Sequence, residues 1–159
     1  MDDRADVVDM LDALMRSSDP LNRVEAVERG CVTDTLVADP DDRVRAAVAR
    51  RGEHLDVLAA DPSPEVRYGA AYGTTDGSLL EYLSADRSAL VRMGVAAAGG
   101  IWAKGLRDDP DPLVRHAAES ALADPRCCEG CCESAYIGRF CAVKNRHTSP
   151  HDRCDAWRA

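Results

Sequence analysis

The chain has 159 residues, of which 45% are hydrophobic and 4% aromatic, and its formal net charge at pH 7 is −8. No run of about 18 apolar residues occurs, so no membrane-spanning helix is expected. The acidic N-terminus has no apolar stretch behind a basic start, which argues against a secretory signal and favours a cytoplasmic protein. In that reducing compartment the seven cysteines are better interpreted as metal ligands or free thiols than as disulfides.

The first predicted element is an amphipathic helix over residues 3–17. Apolar side chains recur along it at helical spacing, including Val8, Leu11 and Leu14, and acidic side chains stand between them. The end of a stack of helices needs a cover for its apolar face. We therefore interpret residues 1–18 as an N-terminal capping helix.

An internal repeat follows over residues 19–125. Each start is marked by an aspartate, which proline follows in all but one case, and the starts are Asp19, Asp39, Asp61, Asp86 and Asp109. Six residues after each start lie Glu25, Arg45, Arg67, Arg92 and Arg115, and the residue before each of these is valine. Five matches at one offset indicate a helical-repeat architecture with starts 20, 22, 25 and 23 residues apart.

The chemistry of one repeat predicts a short helix, a turn at Asp-Pro and a longer helix. Aspartate is a good N-cap, and proline fits a first helical turn, where its missing N–H is not needed. Glycines about twelve residues after the starts are expected to end the longer helices, at Gly30, Gly52, Gly73 and Gly99. Since no repeat can bury its apolar face alone, the sequence predicts an all-α fold: a short right-handed α-solenoid of 20–25-residue repeats.

The segments LAADPSPEVRYGAAYG and LRDDPDPLVRHAAESAL resemble the leucine-rich-repeat-variant family and the wider HEAT-like group. The resemblance covers roughly residues 19–125. It implies repeats that pair one α-helix with one 3₁₀-helix, and the family architecture carries a [4Fe–4S] cluster in a module N-terminal to its repeats. Such solenoids serve as scaffolds, adaptors, inhibitors and occasional nucleic-acid binders, so the resemblance speaks to architecture more than to function.

The recurring charges form what we call the arginine–aspartate ladder. Its predicted members are Asp39, Arg45, Asp61, Arg67, Asp86, Arg92, Asp109 and Arg115. We interpret it as structural, with each arginine paired to an aspartate of its own or a neighbouring repeat, because bidentate Arg–carboxylate pairs fix register well. A phosphate-binding stripe is the alternative, but residues 1–125 carry 14 basic and 24 acidic side chains. The structural interpretation predicts that Arg67→Ala lowers the melting temperature.

A cysteine-rich segment occupies residues 126–159. The predicted metal ligands are Cys128, Cys131, Cys141 and Cys154, with Cys127, Cys132, His147 and His151 as alternates. The Cys-x2-Cys spacing lets two thiolates reach one ion, and a segment without a core of its own is typical of a structural zinc site. A [4Fe–4S] cluster also takes four cysteines, and thiols without metal remain a third possibility. We expect zinc in a metal-clipped cap that closes the C-terminal end of the stack.

The function expected from the sequence is a non-enzymatic protein-interaction module, an adaptor or inhibitor. No catalytic residues are predicted, because no nucleophile, phosphate loop or acid–base pair stands in a recognisable pattern. The acidic body favours a protein partner with a basic surface, and it argues against nucleic acid and against a membrane. Two alternatives are an iron–sulfur redox or sensor protein and a nucleic-acid-binding helical-repeat protein.

Overall fold

The computed structural model describes the backbone of residues 3–123, 136–137, 140–141 and 146–147, and the side chains of residues 8–123. The chain divides into two compact units, Met1–Thr74 and Thr75–Ala159. Residues 3–123 carry helices and no strand, so the all-α prediction is confirmed for this part of the chain.

The helices alternate between longer and shorter ones, as the repeat predicts. The first unit contains α1 (Asp3–Met15), α2 (Pro20–Glu28), α3 (Asp34–Val37), α4 (Asp42–Arg50), α5 (Leu55–Leu58) and α6 (Pro64–Gly73). The second contains α7 (Gly77–Ser84), α8 (Ala89–Ala97), α9 (Gly100–Gly105) and α10 (Pro112–Ala123). The shortest helices, α3 and α5, are single α-helical turns and not the 3₁₀-helices that the family resemblance implies.

In the first unit the longer helices pack in chain order: α1 on α2, α2 on α4, and α4 on α6, with α3 and α5 packed beside α4. Helix α4 lies between two neighbours, so its buried side chains are not confined to one face: they are Val44, Ala46, Ala47, Val48 and Ala49. Helix α1 has a neighbour on one side, and its Val8 stays 63% exposed. The apolar stripe predicted for α1 is therefore only partly buried.

Helices α4 and α6 approach closely because α6 carries glycine at two positions of the contact. A Cβ atom built on Gly69 would stand 2.7 Å from the carbonyl oxygen of Ala46 and 3.2 Å from the Cβ of Ala49. A Cβ on Gly73 would overlap the carbonyl oxygen of Ala49. Only glycine therefore allows this separation, and small alanines on α4 complete the interface.

The N-cap residues of the helices agree with the sequence prediction at one repeat start and differ from it at others. Asp19 is an N-cap as predicted, with its carboxylate accepting from Leu21 N. Asp39 and Asp61 are not N-caps: the helices that follow them are capped at Asp41 and Ser63, two residues later. The prediction was wrong at these repeats because Asp-Pro there forms the turn before the helix. A second polar residue stands at the N-cap position, where Asp41 accepts from Arg43 N and Ser63 makes no side-chain capping hydrogen bond.

Three of the four predicted glycine stops are confirmed by positive φ angles: 99° at Gly30, 79° at Gly52 and 80° at Gly99. At Gly30 the amide donates to Val27 O and the next amide, of Cys31, to Ala26 O, which is the Schellman pattern. Gly73 differs, since it is the last residue of α6 and Thr74 is the C-cap. That glycine serves the helix contact and not a left-handed turn.

In the second unit α8 packs against α7, α9 and α10, and α9 also contacts α7 and α10. The core consists of aliphatic side chains from all four helices: Leu80, Leu83, Val91, Val95, Ala103, Val114 and Ala118. Valine and alanine dominate because the helices approach closely, which leaves little room for larger side chains.

Three two-residue strands occur within the cysteine-rich segment, where no strand was expected. They are β1 (Tyr136–Ile137), β2 (Phe140–Cys141) and β3 (Arg146–His147), and they form an antiparallel sheet in the order β1-β2-β3. Ile137 pairs with Phe140, and Phe140 pairs with His147. Strands this short leave no alternating pattern long enough to recognise in a sequence.

Candidate functional site: the arginine–aspartate ladder

The ladder arginines share one position and one anchor. Each lies three residues after the first residue of its helix, and its Nη1 donates to the carbonyl oxygen six residues earlier in the chain. For Arg45 the acceptor is Asp39 O at 2.7 Å, and for Arg92 it is Asp86 O at 2.8 Å. This anchor turns the remaining donors, Nε and Nη2, in one direction; we call these two groups the guanidinium fork.

The fork of three arginines binds the aspartate of the next repeat through both carboxylate oxygens. For Arg45, Nε lies 2.8 Å from Asp61 Oδ2 and Nη2 lies 3.1 Å from Oδ1. The side chains are largely withdrawn from water, with 15% of Arg45 and 8% of Asp61 exposed. The three pairs are Arg23–Asp39, Arg45–Asp61 and Arg92–Asp109. Each arginine thus links its own repeat, through a carbonyl, to the following one, through a carboxylate.

Each accepting aspartate also holds its own turn. Asp39 Oδ1 accepts from Asp41 N at 2.9 Å, and Asp61 Oδ1 accepts from Ser63 N at 2.8 Å. Asp109 Oδ1 accepts from Asp111 N at 2.9 Å in the same way. The carboxylate therefore joins the helix start of one repeat to the arginine of the repeat before it, and aspartate suits this because its short side chain reaches its own backbone.

These contacts shift the pKa values of the paired groups. At Asp109 the hydrogen bond from Arg92 is the main cause that lowers the carboxyl pKa below its ordinary value. At Asp61 burial acts to raise the pKa, but the hydrogen bonds from Arg45 and Ser63 N outweigh it and the pKa is lowered. The hydrogen bond to Asp61 likewise raises the pKa of Arg45. Asp61 and Asp109 are therefore ionised at neutral pH, as are the arginines that bind them.

Arg67 and Asp86, two further predicted residues of the ladder, also make contacts with the backbone. Arg67 is 6% exposed, and its Nη1 donates to Asp61 O at 2.7 Å and Pro62 O at 3.1 Å. Asp86 accepts from Ser88 N at 2.7 Å. Arg67 therefore has the same carbonyl anchor as the other ladder arginines, and Asp86 accepts the backbone N–H two residues later, as the other ladder aspartates do.

Sequence reasoning missed Arg23, which occupies the ladder position of the first repeat. Glu25 was assigned to that position, but it pairs with Arg29 on its own helix, whereas Arg23 binds Asp39. The carbonyl anchor of Arg23 is Ser17, so serine stands where the later repeats have aspartate. A usable signal was present: Arg23 to Arg45 and Gly30 to Gly52 are both 22 residues apart.

The predicted metal ligands mostly lie outside the described residues. Cys141 and His147 lie on the neighbouring strands β2 and β3, of which the backbone is described. Cys127, Cys128, Cys131, Cys132, His151 and Cys154 are among the residues that the structure does not describe. Within the described side chains no group of three potential metal ligands occurs. There, Cys31 is a half-buried free thiol next to the glycine that ends α2.

No protein-family model, curated protein or solved structure matches this chain. None of the helices within the described residues is long and apolar enough to cross a membrane.

Proposed function

We propose that the chain is a non-enzymatic protein-interaction module built on helical repeats, which stack within each unit as in a short right-handed α-solenoid. The observation that carries this proposal is the pairing of ladder arginines with the aspartates of the following repeats. Such pairing holds neighbouring repeats in register. It supports a scaffold that presents a rigid surface to a partner, as repeat proteins do.

The nucleic-acid alternative has less support, because a phosphate would have to displace a carboxylate from each occupied fork. The acidic side chains on the short helices are, in contrast, open to solvent. Asp34 on α3 and Asp56 on α5 occupy equivalent positions 22 residues apart, both are exposed, and Val57 beside Asp56 is 58% exposed. Acidic side chains next to an apolar one favour a partner with a basic, partly apolar surface.

Binding to a purified basic partner tests this proposal. The full chain would first be cross-linked in its native cells, and each recovered protein would be purified and titrated by calorimetry at two salt concentrations. We expect weaker binding at higher salt and a loss of about tenfold on combining Asp34→Asn with Asp56→Asn. Glu119→Gln, at another exposed acid, is the matched control and should change little. Tight binding to duplex DNA instead would favour the nucleic-acid alternative.

For the cysteine-rich segment we propose a structural zinc site, with a [4Fe–4S] cluster as the alternative. The support is chemical: six cysteines and two histidines fall within residues 126–159, in a segment rich in thiolate donors. A metal-clipped cap would also have apolar surface to cover, since Leu122 near the end of α10 is only half-buried and Ala123 is exposed. In this proposal the metal stabilises the segment and takes no part in a reaction.

A further inference from the structure

Arg115, in α10, has the same anchor as the other ladder arginines, but among the described residues no carboxylate binds its fork. Its Nη1 donates to Asp109 O at 2.8 Å and to Pro110 O at 3.0 Å. In the part of the chain that the structure describes, no ion pair forms at Arg115. The side chain is half-buried. Its fork is therefore oriented and charged, and the described residues leave the side chain partly exposed to solvent.

The sequence does not place a carboxylate at the ladder register after Arg115. The partner aspartate lies 16 residues after Arg23 and Arg45, and 17 residues after Arg92. The corresponding residues after Arg115 are Cys131 and Cys132. The spacing of the Arg23, Arg45 and Arg92 pairs thus leads to a cysteine, and not to an aspartate, after Arg115.

The occupied forks define the chemistry that fits the open one. Each occupant is an aspartate whose Oδ1 also accepts the backbone N–H two residues later, and proline stands between the two residues. The three turns begin at Asp39-Pro40, Asp61-Pro62 and Asp109-Pro110. A fork of this geometry selects a carboxylate that meets both donors in one plane, presented by a rigid turn.

We propose that the Arg115 fork is a docking point for an Asp-Pro turn on the surface of a partner protein, which binds there as the next repeat would. The inference deepens the proposed interaction function and rests on it. Charge complementarity identifies the occupant, since two aligned N–H donors on a cation meet a carboxylate in the Arg23–Asp39, Arg45–Asp61 and Arg92–Asp109 pairs. The carbonyl anchor orients the fork before binding, which reduces the entropy lost on association.

A single accessible Arg–carboxylate pair is weak, because water and salt screen it. The fork therefore orients a partner whose other contacts provide most of the affinity, and it selects for aspartate at one position. A short peptide that contains only the turn should accordingly bind in the millimolar range, which suffices for detection by NMR.

The experiment is a titration of the full chain, labelled at arginine, with the capped hexapeptide Ala-Ala-Asp-Pro-Ser-Pro, whose sequence is that of residues 59–64. We expect a saturable shift of the Arg115 Nε–H resonance with a Kd on the order of 1 mM. The Arg45 resonance should stay in place, because its fork is occupied. The peptide with asparagine in place of aspartate should bind at least about tenfold more weakly.

Several outcomes overturn the proposal. These are the absence of a saturable Arg115 shift up to about 20 mM peptide, an equal response to the asparagine peptide, and a peptide shift that survives in Arg115→Gln. A change of the Arg115 resonance on Glu129→Gln or Glu133→Gln would identify the chain's own segment as the occupant. A concentration-dependent shift abolished by Asp19→Asn, at the exposed Asp19-Pro20 turn, would identify a second copy. None of these results bears on basic-partner binding at Asp34 and Asp56, which tests the proposed function separately.

Discussion

At the residue scale, the ladder arginines occupy a position that a helix alone disfavours. They lie in or next to the first turn of their helices, where the partial positive charge of the helix dipole opposes a cation. Two features offset this repulsion at Arg45: the carbonyl oxygen of Asp39 and the carboxylate of Asp61. The arginine is therefore stabilised by the turn before its helix and by the neighbouring repeat, and not by its own helix.

The first prediction compares two arginines of helix α4, each of which binds an aspartate through both carboxylate oxygens. Arg45 bridges two repeats and is 15% exposed, whereas Arg43 pairs with Asp41 inside one turn and is 59% exposed. We expect Arg45→Ala to lower the free energy of unfolding by about 2 kcal/mol, because it leaves Asp61 buried without its cation. Arg43→Ala should leave the urea midpoint nearly unchanged. Equal midpoints for the two variants would contradict a structural role for the ladder.

The second prediction concerns the glycines of the helix contact. Gly69→Ala should lower the free energy of unfolding by roughly 1–3 kcal/mol, because the new methyl group would press against the carbonyl oxygen of Ala46. Gly105→Ala is the matched control, since a Cβ atom there meets nothing within 4 Å. Thermal unfolding followed by circular dichroism checks both variants. A Gly69→Ala protein as stable as the control would show that α4 and α6 can move apart at little expense.

At the element scale, the ladder connects helices of successive repeats. The aspartate in the turn that leads into α6 binds an arginine near the start of α4. Asp61 is held at once by Arg45 of α4 and by the amide of Ser63, the N-cap of α6. The position of α6 relative to α4 is therefore coupled to the start of α6. This coupling explains why aspartate recurs two residues before the caps and does not itself cap the helix.

The third prediction follows from the lowered pKa values of Asp61 and Asp109. A carboxyl with a lowered folded-state pKa contributes stability above its unfolded pKa, here about 3.8, and loses it as the pH falls through the folded value. We expect the urea midpoint to hold between about pH 7 and pH 5 and to fall below about pH 4. The double variant Arg45→Gln/Asp61→Asn should lose less between about pH 4 and pH 3 than the unmodified chain. Identical losses would refute a contribution from this pair.

At the scale of the whole molecule, charge is unevenly divided along the sequence. Residues 1–125 have a balance of −10, whereas residues 126–159 carry six basic and four acidic side chains, a balance of +2. Each ladder pair neutralises one arginine with one aspartate, so the excess of acidic side chains in the body is left to dominate what a partner meets there. The two parts of the sequence thus offer a partner opposite electrostatic properties.

The fourth prediction is the metal content of the full chain, purified without oxygen. We expect about one zinc ion per chain and no visible absorbance, since zinc has no redox or ligand-field colour. Removal of the metal by a chelator should release thiols that react with a colorimetric reagent, and Cys128→Ser should abolish stoichiometric zinc. About four irons with a broad band near 400 nm would overturn zinc and make redox sensing the working function.

The sequence by itself determined that residues 3–123 are helical and where several of the helices end. Glycine is the residue that readily takes a positive φ, so the helix ends at Gly30, Gly52 and Gly99 could be predicted from local conformational preference. Valine also recurs at one offset in the five repeats, and four of these valines, Val44, Val66, Val91 and Val114, are buried. These features depend on interactions within a few residues, which a sequence displays directly.

The tertiary structure alone decided which groups meet. The charge of Arg23 and its 22-residue spacing from Arg45 make it a candidate partner of Asp39, but whether the pair forms depends on how α2 packs on α4. The close approach of Gly69 to Ala46 is likewise a relation between two elements that only packing creates. A sequence shows donors and acceptors, but distance and direction in the fold select the pairs that form.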